Sequence, residues 1–273
     1  MPPPAASTDV RLDALRERIR QIETPARHGV SPFGVAALDR ALPGGGLALG
    51  AVHEIQGHGG DEEDGAAAAG FAAGILARMG TSPVLWCLRR PDLYGPGLMA
   101  HGLDPARLVL VTARRDDGIL WAVEEGLRPG PASGLAAVVG EIGHLPMVAG
   151  RRLQLAAERS GVTALILRRW RNAAEAMAER DRPSAALTRW RVAALPSTGI
   201  ADEPGIAHRS SPWAEGSRPR WRVELLRVRG GAPSAWDVEV ADATGHVCLS
   251  AGLADRPAAS ARLRAEPRQR RAG

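Results

Sequence analysis

The sequence contains no lysine; all 35 of its basic residues are arginine. A working phosphate-binding loop carries a lysine that reaches the terminal phosphates of the nucleotide. Lysine also forms the Schiff bases of several enzyme classes and can act as a general base. The composition therefore excludes both a lysine-dependent phosphate site and Schiff-base chemistry.

Cysteine is also scarce, and Cys87 and Cys248 lie far apart in apolar stretches. This placement indicates buried thiols in a reducing cytoplasm and argues against a disulfide or a metal-binding pair. The histidines show no metal-ligand spacing, and no serine stands in a nucleophile motif. We expect no metal centre, no catalytic residue, and a cytoplasmic protein without a membrane segment, because the N-terminus lacks signal-peptide features and no apolar run approaches about 20 residues.

The formal net charge of +5 permits contact with nucleic acid or with an acidic partner. Strand-like runs at 83–88, 107–111, 135–139 and 163–167 alternate with helical segments. This alternation predicts an α/β fold with a mostly parallel sheet flanked by helices. Further runs after residue 220 predict antiparallel strands at the C-terminal end.

Composition divides the chain into five predicted segments. The first carries an apolar helical stripe that docks on its own domain, on another subunit or on a partner. The segments are an N-terminal amphipathic helix and linker (1–29), a core (30–195), a flexible linker rich in Pro, Ser and Gly (196–219), a C-terminal β addition (220–250) and a disordered, arginine-rich tail (251–273).

The stretch GHGGDEEDG (57–65) joins a predicted strand to a predicted helix, which is the outline of a phosphate-binding loop. Counted from Gly57, the final glycine, the lysine and the hydroxyl residue of the motif fall on Glu62, Glu63 and Asp64. Carboxylates repel a polyphosphate, although acids are also favourable at the start of a helix. We therefore predict a degenerate phosphate loop that binds no cofactor.

Residues 31–55, SPFGVAALDRALPGGGLALGAVHEI, resemble the start of RecA-family cores in the order of short helix, triple-glycine turn and strand. The resemblance implies a RecA-like fold and ATPase residues at the strand ends. There the sequence has Arg89 and Arg90 in place of an activating glutamate, and Gly140 and then Glu141 in place of a metal-binding aspartate. Arg168 or Arg169 replaces a phosphate-sensing glutamine. Together with the loop, these substitutions predict that ATP hydrolysis is absent.

Three further stretches are similar to the ImuA family of RecA-related, damage-inducible mutagenesis proteins: 92–110, 188–192 and 221–231. The resemblance implies a non-catalytic, RecA-like adaptor of an SOS-inducible complex for translesion DNA synthesis. It implies an ImuB-like, polymerase-related partner and, indirectly, an error-prone replicative-type DNA polymerase, with DNA or a RecA filament as a further possible contact. The alternatives are a RecA- or RadA-like ATPase acting on DNA and a SulA-type inhibitor of cell division.

A tryptophan lies between two arginines at three places in the sequence, centred on Trp170, Trp190 and Trp221. In an extended strand the arginines share one face and the tryptophan takes the other. Either the ring is buried beneath solvated arginines, or the arginines contact phosphates while a ring, best Trp170, stacks on bases. The segment 168–183 corresponds to a DNA-contacting loop of RecA but can also form an amphipathic helix. The candidate contacts to DNA or a partner are Arg168, Arg169, Trp170, Arg171, Arg189, Arg191, Arg220, Arg222, Arg262, Arg264 and Arg268.

Overall fold

A computed structural model describes residues 28–128, 134–180, 182–196, 219–240 and 247–249. The strands are β1 (Val30–Ser31), β2 (Leu47–Ala48), β3 (Val52–Gly57), β4 (Val84–Leu88), β5 (Leu108–Thr112), β6 (Ala137–Ile142), β7 (Thr163–Arg168), β8 (Thr188–Leu195), β9 (Arg220–Val228), β10 (Ser234–Val240) and β11 (Val247–Leu249). The helices are α1 (Ala36–Asp39), α2 (Asp61–Ala77), α3 (Gly95–Ala100), α4 (Asp116–Gly126), α5 (Met147–Ser160) and α6 (Ala173–Arg180), with a 3₁₀ turn at Pro105–Arg107.

Nine strands form one sheet in the order β11-β10-β9-β8-β3-β7-β6-β4-β5. The pairs from β8 through β3, β7, β6 and β4 to β5 are parallel, and the pairs from β8 to β11 are antiparallel. The predicted α/β fold with a mostly parallel sheet and antiparallel C-terminal strands is confirmed. Because they run in parallel, the carboxyl ends of β3, β4, β6 and β7 meet at one edge of the sheet, which is where open α/β sheets bind ligands.

Helix α2 packs on one face of the sheet through small and aromatic side chains. Its alanines allow close approach to the strands, and Phe71 contacts Phe33 and Trp190 at ring-centroid separations of 5.9 and 5.6 Å. Helices α4 and α5 bury a second cluster on the opposite face. Gly44 and Gly45, at φ of 80° and 79°, make the tight turn before β2 that the triple glycine predicts.

The C-terminal strands are part of this core. Val223, Leu225 and Val238 are fully buried and belong to the same cluster as α2. Trp190 and Trp221 are buried as well, whereas the arginines beside them point to the other face of β8 and β9. For these two tryptophans the structure supports the interpretation of a buried ring.

One local prediction needs correction. The strand predicted at 135–139 lies at Ala137–Ile142, because three further residues on its carboxyl side pair with β7, so Glu141 is inside the strand. Of the two alternatives considered for the segment 168–183, the structure has the helix, α6, over Ala173–Arg180. The predicted N-terminal helix, flexible linker and arginine-rich tail lie outside the described residues. Within the described ranges, no helix is long and apolar enough to cross a membrane.

Replacing the buried Trp190 by alanine is expected to lower the free energy of unfolding by about 3–5 kcal/mol, because the cavity would lie among Phe33, Phe71 and Trp236. Trp121→Ala is the matched control, since that ring is 65% exposed. Urea denaturation followed by circular dichroism measures both. An equal decrease in the free energy of unfolding for the two variants would contradict the assignment of Trp190 to the core.

Candidate functional site

At the carboxyl edge of the sheet, a cavity of about 350 Å³ opens between the ends of β4, β6 and β7 and helices α2 and α6. Charged side chains of both signs line it, including Asp61, Arg89, Glu141 and Arg169. This is the position at which the sequence predicts a degenerate nucleotide site.

The loop from β3 to α2 is short, and the amides of His58, Gly59 and Asp61 already have acceptors within the protein. Gly59 N–H donates to Asp64 Oδ2 at 2.8 Å, and Asp61 N–H donates to the carbonyl of Trp170 at 2.9 Å. The other Asp64 oxygen accepts from Ala194 N–H at 2.9 Å. A Cβ atom built on Gly57 would lie only 2.9 Å from the Cβ of Asp64, so this glycine is what lets the strand pass so close to the helix.

Arg169, directly after β7, is the centre of the site. Its guanidinium contacts Asp61 at the start of α2 (Nη2 to Oδ2, 2.6 Å), Glu141 of β6 (3.0 Å) and Asp92 after β4 (2.9 Å). Burial opposes the charge, but the three carboxylates outweigh burial and hold the pKa of Arg169 above its ordinary value. One cation therefore neutralises acids from three separate segments.

Glu141 is the deepest member of this cluster, at 2% exposure. Its Oε1 accepts a hydrogen bond from the indole N–H of Trp86 at 2.9 Å, and its Oε2 contacts Arg169. Burial raises the pKa of Glu141, while Arg169 and the Trp86 bond act in the opposite direction. Glu141 follows Gly140 where the RecA resemblance implies a metal-binding aspartate, and in the structure its carboxylate reaches the site but is held by Arg169.

A second buried network lies beneath the first. Arg168 contacts Glu54 at 3.5 Å and Glu179 at 2.9 Å, and Arg189 contacts Glu54 at 3.3 Å. Glu54 is 1% exposed, and the Ser184 hydroxyl donates to its other oxygen. Arg168 and Arg189 thus neutralise the charge of Glu54 in the central strand. The predicted contact with DNA or a partner requires exposed guanidinium groups, and these two are buried.

Trp170 also points into the protein. Its ring is 3% exposed, and its indole N–H donates to the carbonyl of Gly143 at 2.9 Å. In this structure the ring has no open face for a base, which corrects the expectation that Trp170 is the best stacking residue.

The other predicted site residues are scattered. Arg171 is exposed and pairs with Glu175 one helical turn away. The remaining arginines lie on the β8–β9 face: Arg191 pairs with Glu224, Arg222 pairs with Asp237, and Arg220 is partly buried. Glu62 is exposed, the side chain of Glu63 is outside the described part, and so are Arg262, Arg264 and Arg268.

The groups at this edge do not fit a nucleoside triphosphate with magnesium. Glu63 stands at the lysine position of the motif. Asp64 accepts a hydrogen bond from the Gly59 amide that a phosphate would need, and the Glu141 carboxylate that could hold magnesium is bound to Arg169. Among the described residues, no cluster of histidine, cysteine and carboxylate side chains could hold a metal ion. Internal ion pairs occupy this edge of the sheet.

Comparison with known proteins identifies close sequence relatives. The chain is 38% identical over 242 residues to Protein ImuA from two strains of Caulobacter vibrioides, covering 85% of this chain and 93% of each relative. Among solved structures it is similar to a RadB recombinase, with a TM-score of 0.50, 16% identity, and coverage of 81% of this chain and 99% of that one. At that identity the similarity establishes the RecA-like fold alone. No family model matches the chain.

Arg169→Ala is expected to lower the free energy of unfolding by about 3 kcal/mol at neutral pH, because it leaves a buried carboxylate without its cation. Without Arg169 the pKa of Glu141 rises further above its unfolded value. When the pKa of a carboxyl group is higher in the folded than in the unfolded state, proton uptake stabilises the folded state. The loss of unfolding free energy relative to the wild type therefore shrinks as pH falls through that pKa.

Urea denaturation between neutral and mildly acidic pH measures this deficit. Arg171→Ala is the control, since its side chain and its pair with Glu175 lie at the surface, and we expect only a small change in the free energy of unfolding. A deficit that stays constant with pH would contradict the role of Glu141.

Proposed function

Since this chain belongs to the ImuA family, we propose that it is a non-catalytic, RecA-like adaptor of an SOS-inducible complex for translesion DNA synthesis. It binds an ImuB-like, polymerase-related protein and, through that protein, supports an error-prone replicative-type polymerase. Direct contact with DNA or with a RecA filament is a secondary part of the proposal.

The observation that carries the non-catalytic part is the Arg169 cluster. A RecA-like ATPase needs a cation facing the terminal phosphates and a carboxylate holding magnesium. Here Arg169 stands among Asp61, Asp92 and Glu141 and satisfies them itself. A polyphosphate would have to displace these ion pairs and meet the carboxylates, at a large electrostatic cost.

Rebuilding the loop tests this part of the proposal. The triple variant Glu62→Gly, Glu63→Lys and Asp64→Thr restores the motif letters but leaves Arg169 and Glu141 in place. We expect no release of phosphate from ATP with magnesium, with or without single-stranded DNA. Release of phosphate by this variant above a no-enzyme blank would contradict the proposal that several independent substitutions, and not the loop alone, prevent ATP hydrolysis.

Co-expression with an ImuB-like protein tests the adaptor role. We expect the two proteins to elute together in size-exclusion chromatography, and the division GTPase to remain separate in a sedimentation assay. Failure of the full chain to co-elute would contradict the adaptor role, and co-sedimentation with the GTPase would favour a division inhibitor.

The tail can be mapped in the same experiment. Truncation at residue 220 is unsuitable because β9 and β10 complete the core. The variant Arg262→Ser, Arg264→Ser and Arg268→Ser changes no residue of the described core, and we expect it to weaken co-elution. Unchanged co-elution would move the partner contact away from the tail.

A further inference from the structure

A second and larger cavity, of about 1090 Å³, forms a groove on the sheet face away from α2. One wall is helix α5, the other is the outer face of β8 and β9, and residues 182–185 lie along it. It is separate from the site at the strand ends. We call it the α5–β9 groove.

The charge of the α5–β9 groove is strongly one-sided. Within the described part of the chain, seven arginines line the groove against a single acid, Glu158. The arginines are Arg151, Arg180, Arg182, Arg189, Arg191, Arg227 and Arg229. Like charges at this density repel one another unless an anion lies among them.

Some of these arginines serve the fold and others do not. Arg189 and Arg191 are bound to Glu54 and Glu224, and Arg182 pairs with Glu179. By contrast, the exposed guanidinium groups of Arg151 and Arg229 make no ion pair or hydrogen bond with any residue that the structure describes. The two arginines lie on the two sides of the groove, so both walls offer cations to a ligand.

Apolar side chains lie between the cations. Leu155 of α5 is 58% exposed, and Met147, Pro183 and Leu226 also line the groove. Among the described residues, no aromatic ring lines the groove, because the tryptophans of β8 and β9 point into the core. Single-stranded nucleic acid is held by stacking as well as by phosphate contacts. The mixture of arginine and aliphatic groups instead matches a peptide with acidic and aliphatic residues.

We propose that the α5–β9 groove binds an acidic, leucine-containing segment of a partner protein. Carboxylates of the segment pair with Arg151 and Arg229 on the two walls, and its aliphatic side chains cover Leu155. The inference does not depend on the adaptor role, because it concerns the chemistry of the segment and not the protein that carries it.

Fluorescence anisotropy with defined probes tests the proposal. The probes are a short labelled peptide that repeats Glu-Glu-Leu, a peptide that repeats Glu-Glu-Ser, and an oligothymidylate of equal net charge. We expect the leucine peptide to bind the wild-type chain most tightly, and added salt to weaken its binding because the pairs are exposed.

Two variants assign the binding to the groove. Arg151→Glu with Arg229→Glu should weaken the leucine peptide about ten-fold or more. The matched control is Arg40→Glu with Arg114→Glu, which makes the same charge change at two exposed arginines outside the groove and should have little effect. Leu155→Ser should weaken the leucine peptide roughly five-fold and leave the serine peptide unchanged.

Three results would overturn the proposal. The first is that oligothymidylate binds more tightly than the leucine peptide and that Arg151→Glu with Arg229→Glu abolishes oligothymidylate binding. This result would make the groove a nucleic-acid site. The second is an equal effect of the two double variants, which would reduce the binding to net charge. The third is absence of binding by the leucine peptide. Because no polymerase-like partner is used, none of these results bears on the adaptor role.

Discussion

The ion pairs of Arg169 are the constraint on which the carboxyl edge of the sheet depends. A parallel sheet brings the ends of its strands together, and in this chain those ends carry acids from β4, β6 and α2. Carboxylates so close together repel one another in a partly buried site. A single guanidinium at the end of β7 pairs with all three carboxylates and removes that repulsion.

Arg169 and the adjacent Arg168 also connect the end of β7 to other elements of the fold. Arg168, its neighbour, joins Glu54 in the central strand to Glu179 in α6, and this holds α6 against the sheet. Trp170 follows and hydrogen-bonds to Gly143 between β6 and α5. A segment that resembles a DNA-contacting loop in sequence is thus folded down onto the protein. Arg168, Arg169 and Trp170 serve internal contacts, whereas Arg171 is exposed.

Much of the fold could be predicted from the sequence because its signals are local. Alternating apolar runs indicated the parallel strands, and Gly57 with the acids after it marked the start of α2. The side-chain contacts of the site could not be predicted in this way. Arg169 and Asp61 are 108 positions apart, and only the order of strands in the sheet brings them together. The burial of Trp170 likewise depends on the folded position of Gly143. The sequence signal for these contacts was the adjacent pair Arg168 and Arg169 at the end of β7, since two neighbouring cations at the end of a buried strand indicate carboxylates close by.

We propose that internal ion pairs take the place of a bound nucleotide in this RecA-like fold. Titration calorimetry of the full chain with ATP and magnesium tests it most directly, at low ionic strength so that weak electrostatic binding is retained. We predict no saturable heat at ATP concentrations up to the millimolar range. Saturable binding with a micromolar dissociation constant would contradict the claim, because it would require the loop and Arg169 to release their internal partners to a ligand.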